Sequence, residues 1–262
     1  GDGDHSTLAS IPGSSIQSAT IVAKGEGVMA GAEMACRIYE FFDDSIQYKI
    51  HVHDGQPFSA GDVILKASGS AQSILTTERL ILNCMQRMCG IATMTRRLSE
   101  LIKGTRACIL DTRKTTPNFR LMEKWAVLIG GGKNHRYGLY DMIMLKDNHI
   151  DYAGGITKAV AATVSYLSIL GKDLRIEVET RNLEEVREAL DTGKVDVIML
   201  DNMMPSEMKQ AVKMINGKCE TEASGGITET TIREVAECGV DFISIGALTH
   251  SAGIVDLSML AS

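Results

Sequence analysis

Basic residues are concentrated in three short segments of the chain. Arg113 and Lys114 stand side by side, His135 and Arg136 form a second pair, and Lys146 opens a third segment. Arginine presents a planar fork that pairs with a carboxylate or phosphate, and lysine presents a point charge. Because the whole chain has a formal net charge of −6, this local excess of cations predicts a site for a small polyanion.

Two acidic residues close neighbouring apolar segments of the same half of the chain. Glu179 and Asp201 each follow a run typical of a buried strand. Such carboxylates could bind sugar hydroxyls and hold Mg²⁺ through water, or act as a general acid and base. Helix caps and ion pairs are the structural alternatives. Glu177 and Glu179 alternate with Ile176 and Val178, which predicts that both carboxylates share one face of their strand and point into a barrel mouth.

Glycines near the end of the chain suggest a place for a phosphate group. Ser224, Gly225 and Gly226 follow a predicted strand and precede a predicted helix. Glycine exposes backbone N–H groups, and a helix start adds a partial positive charge, so this turn is a candidate phosphate site. Gly246, after the last predicted strand, could form the opposite wall. Late positions of this kind bind phosphate in many barrels.

Short strands must position these residues. After Gly104 the sequence alternates between apolar strands and amphipathic helices, the pattern of parallel βα units. Six strands are predicted: Ala107 to Thr112, Asp141 to Leu145, Leu174 to Glu179, Val195 to Leu200, Thr221 to Ser224 and Phe242 to Ile245. A polar or charged residue follows almost every strand, which favours a small or incomplete barrel over an open doubly wound sheet.

The first part of the chain has a different pattern. From Ile16 to Ser68 it reads as strands separated by glycine turns, with one inserted helix from Gly31 to Phe42. A long helical segment then runs from about Gln72 to Lys103. We therefore predict an α/β protein with two domains, an N-terminal α/β sandwich with a connecting helix (1–104) and an incomplete α/β barrel that carries the catalytic residues (105–262).

Length and composition exclude several classes of protein. A chain of 262 residues can bury a full core, and its acidic balance argues against a nucleic-acid partner. No apolar run approaches the length of a membrane span, so no membrane partner is expected. The six cysteines include no C-x-x-C pair. They are typical of reduced thiols, which predicts a cytoplasmic location.

Three weaker motifs point to other chemistry. Gly25 to Ala30 matches the dinucleotide pattern G-x-G-x-x-A, which leaves a non-catalytic NAD-binding module as an alternative, but its surroundings look antiparallel. The run at Gly130 to Lys133 lacks the first glycine and the Ser or Thr of a P-loop. His51 and His53 share one strand face, yet no third metal ligand is nearby.

Several motifs together resemble the quinolinate phosphoribosyltransferase family, the carboxylating nicotinate-nucleotide pyrophosphorylases. The resemblance covers nearly the whole chain. It is carried by Asp111 to Pro117, Gly131 to Asp141, Lys146 to His149, Leu200 to Met203, Ala223 to Ile227 and Gln86 to Thr93. It implies an N-terminal sandwich, an incomplete barrel and a homodimer. It also implies phosphoribosyl transfer from phosphoribosyl pyrophosphate to quinolinate with decarboxylation, which yields nicotinate mononucleotide, pyrophosphate and CO₂ in NAD biosynthesis.

The resemblance also implies a role for each candidate residue. The quinolinate carboxylates would be surrounded by Arg113, His135, Arg136 and Lys146, with Arg87 reaching in from the partner subunit. Lys114 would bind ligand anions, and Glu179 with Asp201 would serve the ribose and the Mg²⁺ shell. The 5′-phosphate would lie against Ser224, Gly225, Gly226 and Gly246, with His250 nearby. The catalytic set implied in this way is Lys114, Lys146, Glu179 and Asp201.

Two other activities remain as alternatives, and the sequence differs from the family pattern at one point. A related phosphoribosyltransferase could use another pyridine acid as acceptor, and a Schiff-base lyase could use Lys146 as its nucleophile. The family usually has a helix before its first strand, whereas this sequence opens almost directly on Gly3 and Asp4. We therefore expect no helix at that position.

Overall fold

The computed structural model describes all 262 residues, Gly1–Ser262. The chain divides into two compact units, and each is assembled from separate segments. Unit 1 contains Gly1–Arg96, Thr115–Gly131 and Ala247–Ser262, and unit 2 contains Arg97–Lys114 and Gly132–Gly246. The boundary predicted between residues 104 and 105 treats the domains as consecutive pieces. The compact units instead place two later segments of the chain in unit 1.

Unit 1 is built on a four-stranded antiparallel sheet. Its strands are β1 (Ile16–Ala23), β3 (Gln47–Ile50), β5 (Val63–Ser70) and the C-terminal β12 (Leu257–Ala261), in the order β12-β1-β5-β3. A two-stranded ribbon pairs β2 (Gly27–Val28) with β4 (Pro57–Phe58), also antiparallel. This pairing places the G-x-G-x-x-A segment in an antiparallel ribbon. A dinucleotide fingerprint requires a parallel βαβ unit instead.

Five helices belong to unit 1, and two of them contribute residues to the core around its sheet. The five are α1 (His5–Ser10), α2 (Ala32–Phe42), α4 (Arg120–Gly130), α10 (Ala247–His250) and most of α3 (Ala71–Leu101). The core joins strand residues such as Ile21 and Leu65 to helix residues such as Tyr39 and Met85, all at most 1% exposed. Burial of these apolar side chains is the main force that holds the sandwich layers together.

Unit 2 is an open sheet of six parallel strands. Along the chain they are β6 (Cys108–Leu110), β7 (Ile143–Leu145), β8 (Ile176–Thr180), β9 (Val197–Asp201), β10 (Glu220–Ser224) and β11 (Phe242–Ser244). Their order in the sheet is β6-β11-β10-β9-β8-β7, with parallel pairing throughout. The edge strands β6 and β7 do not pair, so the barrel is incomplete. All six carboxyl ends lie at the same edge.

Crossover helices connect the strands of unit 2. They are α5 (Asp147–Ala153), α6 (Ile156–Leu170), α7 (Leu183–Asp191), α8 (Pro205–Ile215) and α9 (Ile232–Ala236). Local chemistry starts two of them: the Asn182 side chain accepts the Glu185 N–H at 2.9 Å, and Pro205 occupies the first turn of α8. No single helix is long and apolar enough to cross a membrane, although α5 and α6, bent by 92°, meet that test as a pair.

The structure confirms the predicted fold class and corrects one expectation about its elements. All six barrel strands, the helix before Phe42 and the long helix α3 lie where they are predicted. A helix does precede the first strand: α1 begins after Asp4, whose carboxylate accepts the Thr7 hydroxyl at 2.6 Å and the Thr7 N–H at 3.2 Å. The expectation of no helix there was wrong, because a single capping side chain can start so short an element.

Candidate active site

The carboxyl edge of the unit 2 sheet collects most of the predicted site residues. Arg113 and Lys114 follow β6, and Lys146 directly follows β7. His135 and Arg136 lie in the loop before β7, close after Lys133, which forms a parallel bridge with Leu110 of β6. The remaining residues lie in or after the other strands: Glu179, Asp201, Ser224, Gly225, Gly226 and Gly246. Ligands of α/β proteins bind at this end of the strands, where connecting loops converge.

Arg113 and Arg136 form a pair of like charges at this edge. Burial, followed by the nearby charge of Arg113, lowers the pKa of the Arg136 guanidinium, while Glu177 and Asp141 oppose that shift. The loop after Arg136 is fixed by Asp141, whose carboxylate accepts the N–H groups of Tyr137 at 2.6 Å and Gly138 at 2.8 Å. Two guanidinium groups held this way favour an anion between them.

Lys146, Glu179 and Asp201 form the acidic side of the same edge. The Lys146 ammonium lies 3.7 Å from Glu179 Oε2. Burial raises the pKa of Glu179, Lys146 opposes that effect, and the charges of Asp201 and Asp147 add to it. Carboxylates that raise the pKa of a neighbour are stabilised when a cation lies between them. The donor set therefore fits a hydrated divalent ion or the positive charge of a reacting sugar.

Lys114 lies on the exposed start of the loop that follows β6. Its backbone N–H donates to Thr112 Oγ1 at 3.1 Å, which forms a tight turn immediately after Arg113. Lys146 is held in a comparable way, since its N–H donates to His149 Nδ1 at 3.0 Å. Both lysines thus start from fixed backbone positions at strand ends, while their long side chains can follow an anionic ligand.

The Ser224-Gly225-Gly226 turn is open but is not followed directly by a helix. Gly225 and Gly226 have φ of +93° and +61°, and five residues separate Gly226 from the start of α9 at Ile232. The helix predicted after this turn is present, but a threonine-rich turn separates the two, so the helix start does not adjoin the glycines. The turn can still offer backbone N–H groups to a phosphate.

Gly225 is the turn residue most sensitive to substitution. A Cβ there would lie 2.2 Å from Asn202 Oδ1 and would also meet a left-handed φ. Asn202 in turn donates to Asp201 Oδ2 at 2.7 Å. We expect Gly225→Ala to displace Asn202 and to raise KM for the phosphate-bearing substrate by about tenfold or more, since a small misplacement of binding groups is costly. Steady-state kinetics with each substrate varied would measure it.

Gly217→Ala is the matched control for this prediction. Gly217 also has a left-handed φ, +74°, but a Cβ there meets no atom within 4 Å. In this variant, alanine is strained by the left-handed backbone, at a cost of about 1–2 kcal/mol, but its Cβ collides with no neighbouring atom. Equal kinetic losses in both variants would show that strain alone, and not contact with Asn202, accounts for the effect.

Two of the predicted site residues, Arg87 and His250, belong to unit 1. Arg87 is held by its own chain: its guanidinium donates to Glu123 Oε1 at 3.0 and 2.8 Å, to Ala252 O at 2.6 Å and to Thr249 O. His250 is exposed, with Nδ1 2.6 Å from Ser251 Oγ. The Arg87 contacts explain its position within unit 1, and its predicted role toward a partner subunit stays a prediction.

Glu123 is the central anion of this part of unit 1. Its side chain is fully buried and accepts the Thr116 N–H at 3.0 Å and hydroxyl at 2.9 Å in addition to Arg87. We expect Glu123→Gln to lower the free energy of unfolding by about 3 kcal/mol, because it leaves a partly buried guanidinium without its counter-charge. Denaturant unfolding would measure it. Glu100→Gln, which breaks an exposed pair with Lys103, should cost less than about 1 kcal/mol, and an equal cost would contradict the prediction.

Sequence reasoning did not assign a role to two buried acids beneath this edge. Glu177 and Glu222 are 0% and 1% exposed, and both side chains lie near the His135 ring. The predicted alternation of Glu177 and Glu179 is confirmed in part, because Glu179 lies at the edge while Glu177 lies deeper. Glu222 could have been recognised from its position, because the centre of a buried parallel strand is normally apolar and a glutamate there is unusual.

Comparison with known proteins assigns a family to the chain. The family model "Quinolinate phosphoribosyl transferase, N-terminal domain" matches residues 4–89, and the model for the C-terminal domain matches residues 91–260. The chain belongs to the quinolinate phosphoribosyltransferase family. The resemblance predicted from its motifs is therefore confirmed.

Individual members of the quinolinate phosphoribosyltransferase family resemble the chain over nearly its full length. The chloroplastic nicotinate-nucleotide pyrophosphorylase [carboxylating] of Arabidopsis thaliana is 46% identical, covering 98% of this chain and 77% of its own. A probable nicotinate-nucleotide pyrophosphorylase [carboxylating] of Bacillus subtilis is 43% identical, covering 99% and 88%. The crystal structure of NadC from Streptococcus pyogenes superposes with a TM-score of 0.92 at 41% identity, covering 98% and 90%.

Proposed function

We propose that this chain transfers the phosphoribosyl group of phosphoribosyl pyrophosphate to the ring nitrogen of quinolinate. The products are nicotinate mononucleotide, pyrophosphate and CO₂, a step of NAD biosynthesis. One observation carries the proposal. In this member of the family, the Arg113–Arg136 pair and the Glu179–Asp201 carboxylates lie at the same edge of one sheet. The first pair suits a dicarboxylate, and the second suits a reacting sugar.

The cationic residues bind and orient the acceptor. Arg113 and Arg136 each offer a two-pronged donor for one carboxylate, and Lys146 offers a mobile point charge. Neutralisation of both carboxylates favours a bound pose in which the pyridine nitrogen faces the anomeric carbon. Such pre-alignment removes much of the entropic barrier to a two-substrate reaction. A dedicated nucleophilic side chain is not required, because the ring nitrogen attacks the sugar itself.

The acidic residues act on the sugar. Departure of pyrophosphate leaves positive, oxocarbenium-like charge on the ribose, which Glu179 and Asp201 stabilise more strongly than the neutral ground state. After transfer, the alkylated ring nitrogen withdraws the electron pair of the breaking carbon–carboxylate bond. CO₂ leaves, and a proton replaces it on the ring carbon. The turn at Ser224, Gly225 and Gly226, with Gly246, supports the 5′-phosphate.

We also propose Mg²⁺ as the metal of this reaction. Glu179 and Asp201 would hold it through water, in agreement with the raised pKa of Glu179, to which the charge of Asp201 contributes. When bound, Mg²⁺ supplies neutralising charge for the pyrophosphate leaving group. The cationic side chains of the same edge, Lys114 among them, bind the anionic groups of the donor without requiring the ion.

The activity has a direct test. Purified protein supplied with quinolinate, phosphoribosyl pyrophosphate and Mg²⁺ should release CO₂ and form nicotinate mononucleotide, followed by chromatography and by trapping of labelled CO₂. A folded preparation that forms neither product would overturn the proposal. Nicotinate in place of quinolinate separates the alternative acceptor, because nicotinate lacks one of the two carboxylates that the arginine pair requires.

A Schiff-base lyase that uses Lys146 is the alternative from another reaction class. The contact of the Lys146 ammonium with Glu179 at 3.7 Å disfavours it, since a nucleophilic lysine must lose its proton and an adjacent carboxylate stabilises the charged form. Borohydride treatment in the presence of carbonyl substrates should leave Lys146 unmodified. A borohydride-stable adduct on Lys146 would favour the lyase.

A homodimer in which Arg87 serves the partner's site completes the proposal, together with a cytoplasmic location supported by six free cysteines. Arg87 would have to leave its present acceptors to reach a partner. Subunits carrying Arg87→Ala and Lys146→Ala should therefore be mixed, exchanged and assayed for recovered activity. Recovery supports a shared site. Arg79, an exposed arginine on the same helix α3, provides the control. If Arg79→Ala is inactive alone and regains activity when mixed with Lys146→Ala, the shared role belongs to Arg79.

A further inference from the structure

A buried cluster of one histidine and two glutamates lies beneath the arginine pair in unit 2. His135 Nε2 is 2.9 Å from Glu177 Oε2 and 3.5 Å from Glu222 Oε2. The side chains are 7%, 0% and 2% exposed. Glu177 extends from β8 and Glu222 from β10, so two rigid strands hold the carboxylates on either side of the ring nitrogen.

Hydrogen bonds assign the protonation of the His135 ring. Its Nδ1 accepts the backbone N–H of Arg136 at 2.7 Å, so Nδ1 carries a lone pair and the ring proton is on Nε2. That proton lies between the two carboxylates. The His135 backbone N–H donates to Asp111 Oδ1 at 2.8 Å. The imidazole is thus fixed at Nδ1 by a hydrogen bond, and its Nε2 lies within ion-pair distance of both carboxylates.

We propose that Glu177 and Glu222 are positioning residues that act through His135 to place Arg136 for the acceptor's carboxylate. The carboxylates hold Nε2–H, which leaves Nδ1 free to accept the Arg136 N–H and so fixes the backbone from which that guanidinium extends. This inference rests on the proposed function and deepens it, because it assigns selectivity for a dicarboxylate to residues that contact no substrate.

The charge of the cluster agrees with this role. Burial, followed by the charge of Glu177, raises the pKa of Glu222 to about 8, while His135 and a hydrogen bond from Ser244 oppose the shift and Asp111 adds to it. The charge of Glu177 also opposes the lowering of the Arg136 pKa. A buried carboxylate near Arg136 favours the charged guanidinium and helps to orient it.

A metal ion is the alternative occupant of this cluster. One ligand atom from each of His135, Glu177 and Glu222 lies within 4.8 Å of the other two, a size that suits a divalent cation. A metal-binding Nε2 would have to be unprotonated, whereas the Nδ1 contact with Arg136 places the proton on Nε2. The geometry therefore favours a proton over a metal ion, and the two occupants differ in measurable ways.

Kinetics test the positioning role. We expect Glu177→Gln and Glu222→Gln to raise KM for quinolinate by about 10- to 100-fold, the range for supporting residues of an active site, with KM for phosphoribosyl pyrophosphate unchanged. Glu220→Gln is the matched control, since Glu220 lies on the same strand as Glu222 but pairs with Arg175 at the surface. Losses shared by both substrates, or no loss, would overturn the proposal.

Two further measurements do not depend on activity, so they separate this inference from the proposed function. Nitrogen-15 NMR of the His135 ring should show Nε2 protonated and Nδ1 unprotonated in the wild type. In Glu177→Gln this preference should weaken. An imidazolium or the opposite tautomer in the wild type would overturn the proposal, as would one equivalent of a divalent metal in purified protein that is lost in both variants.

The pH dependence of protein stability tests the raised pKa of Glu222. Glu222 keeps its proton up to about pH 8 in the fold, whereas an unfolded glutamate ionises near its usual value of 4.5. Wild-type stability from this group is therefore complete below that value and declines as the pH rises toward 8. Glu222→Gln should gain stability over the wild type between pH 5 and about pH 8, and Glu220→Gln should not. A constant difference across this range would contradict the assignment.

Discussion

Replacing Arg113 with alanine is expected to raise KM for quinolinate by about 10²- to 10³-fold, because removing one member of a desolvated charge pair costs several kcal/mol. Arg113 follows β6 and stands close enough to Arg136 to lower its pKa. In the variant one acceptor carboxylate loses its bidentate partner. The thermal unfolding temperature should change little, since Arg113 is only partly buried and its loss leaves the apolar core unchanged.

The measurement needs both substrates varied and a matched arginine control. Arg106 precedes β6, at the opposite end of the strand from Arg113, and pairs with Asp241 at the surface. Arg106→Ala removes the same charge and should leave both KM values unchanged. If Arg113→Ala instead lowers the unfolding temperature strongly and affects both substrates alike, Arg113 is a structural residue and the arginine pair is not the acceptor site.

Local patterns were sufficient to predict the sheet of unit 2 and its site-bearing edge. Parallel strands are short apolar runs, and a polar residue that follows each run lies at the carboxyl end by geometry alone. Lys146 and Asp201 were placed in this way, and both lie at that edge. Both positions follow from the direction of the chain along each strand, so they can be predicted without knowing any long-range contact.

Long-range pairing explains most of what the sequence did not reveal. Strand β12 pairs with β1 across nearly the whole chain length, with Ala19 opposite Ala261, and no local pattern names a partner so distant. The segment Thr115–Gly131 belongs to unit 1 although strands of unit 2 flank it. The alternation of strands and helices after Gly104 indicates a helix between β6 and β7 but not the unit to which it belongs. Packing against α3, for example of Gly130 against Ala92, decides its unit.

Buried polar clusters escape sequence reasoning for a related reason. Glu222 reads as one polar residue in a strand, and only the folded sheet places it beside His135, which follows a different strand. Likewise, the sequence shows Arg87 but not Glu123 and the two carbonyl groups that accept its hydrogen bonds within the same chain. In both cases the sequence shows the side chain, but only the tertiary structure shows which residue it contacts.

Removing the Asp201 charge is expected to affect the rate of reaction more than binding. Asp201 closes β9, accepts the Asn202 side chain and contributes to the raised pKa of Glu179. In Asp201→Asn one of two carboxylates that face developing positive charge is neutral. We expect kcat to fall by about 10²- to 10³-fold, the usual loss when one transition-state electrostatic group is removed, while KM for quinolinate stays near its wild-type value.

Asp173→Asn is the control, since Asp173 is exposed before β8, at the amino end of the sheet. Rates at several Mg²⁺ concentrations should show that the Asp201 variant needs more Mg²⁺ for half-maximal activity and still has a lower maximum. Full recovery at high Mg²⁺ would limit Asp201 to metal binding. A rise in KM for quinolinate without a fall in kcat would show that Asp201 supports acceptor binding, which contradicts a carboxylate that acts on the sugar.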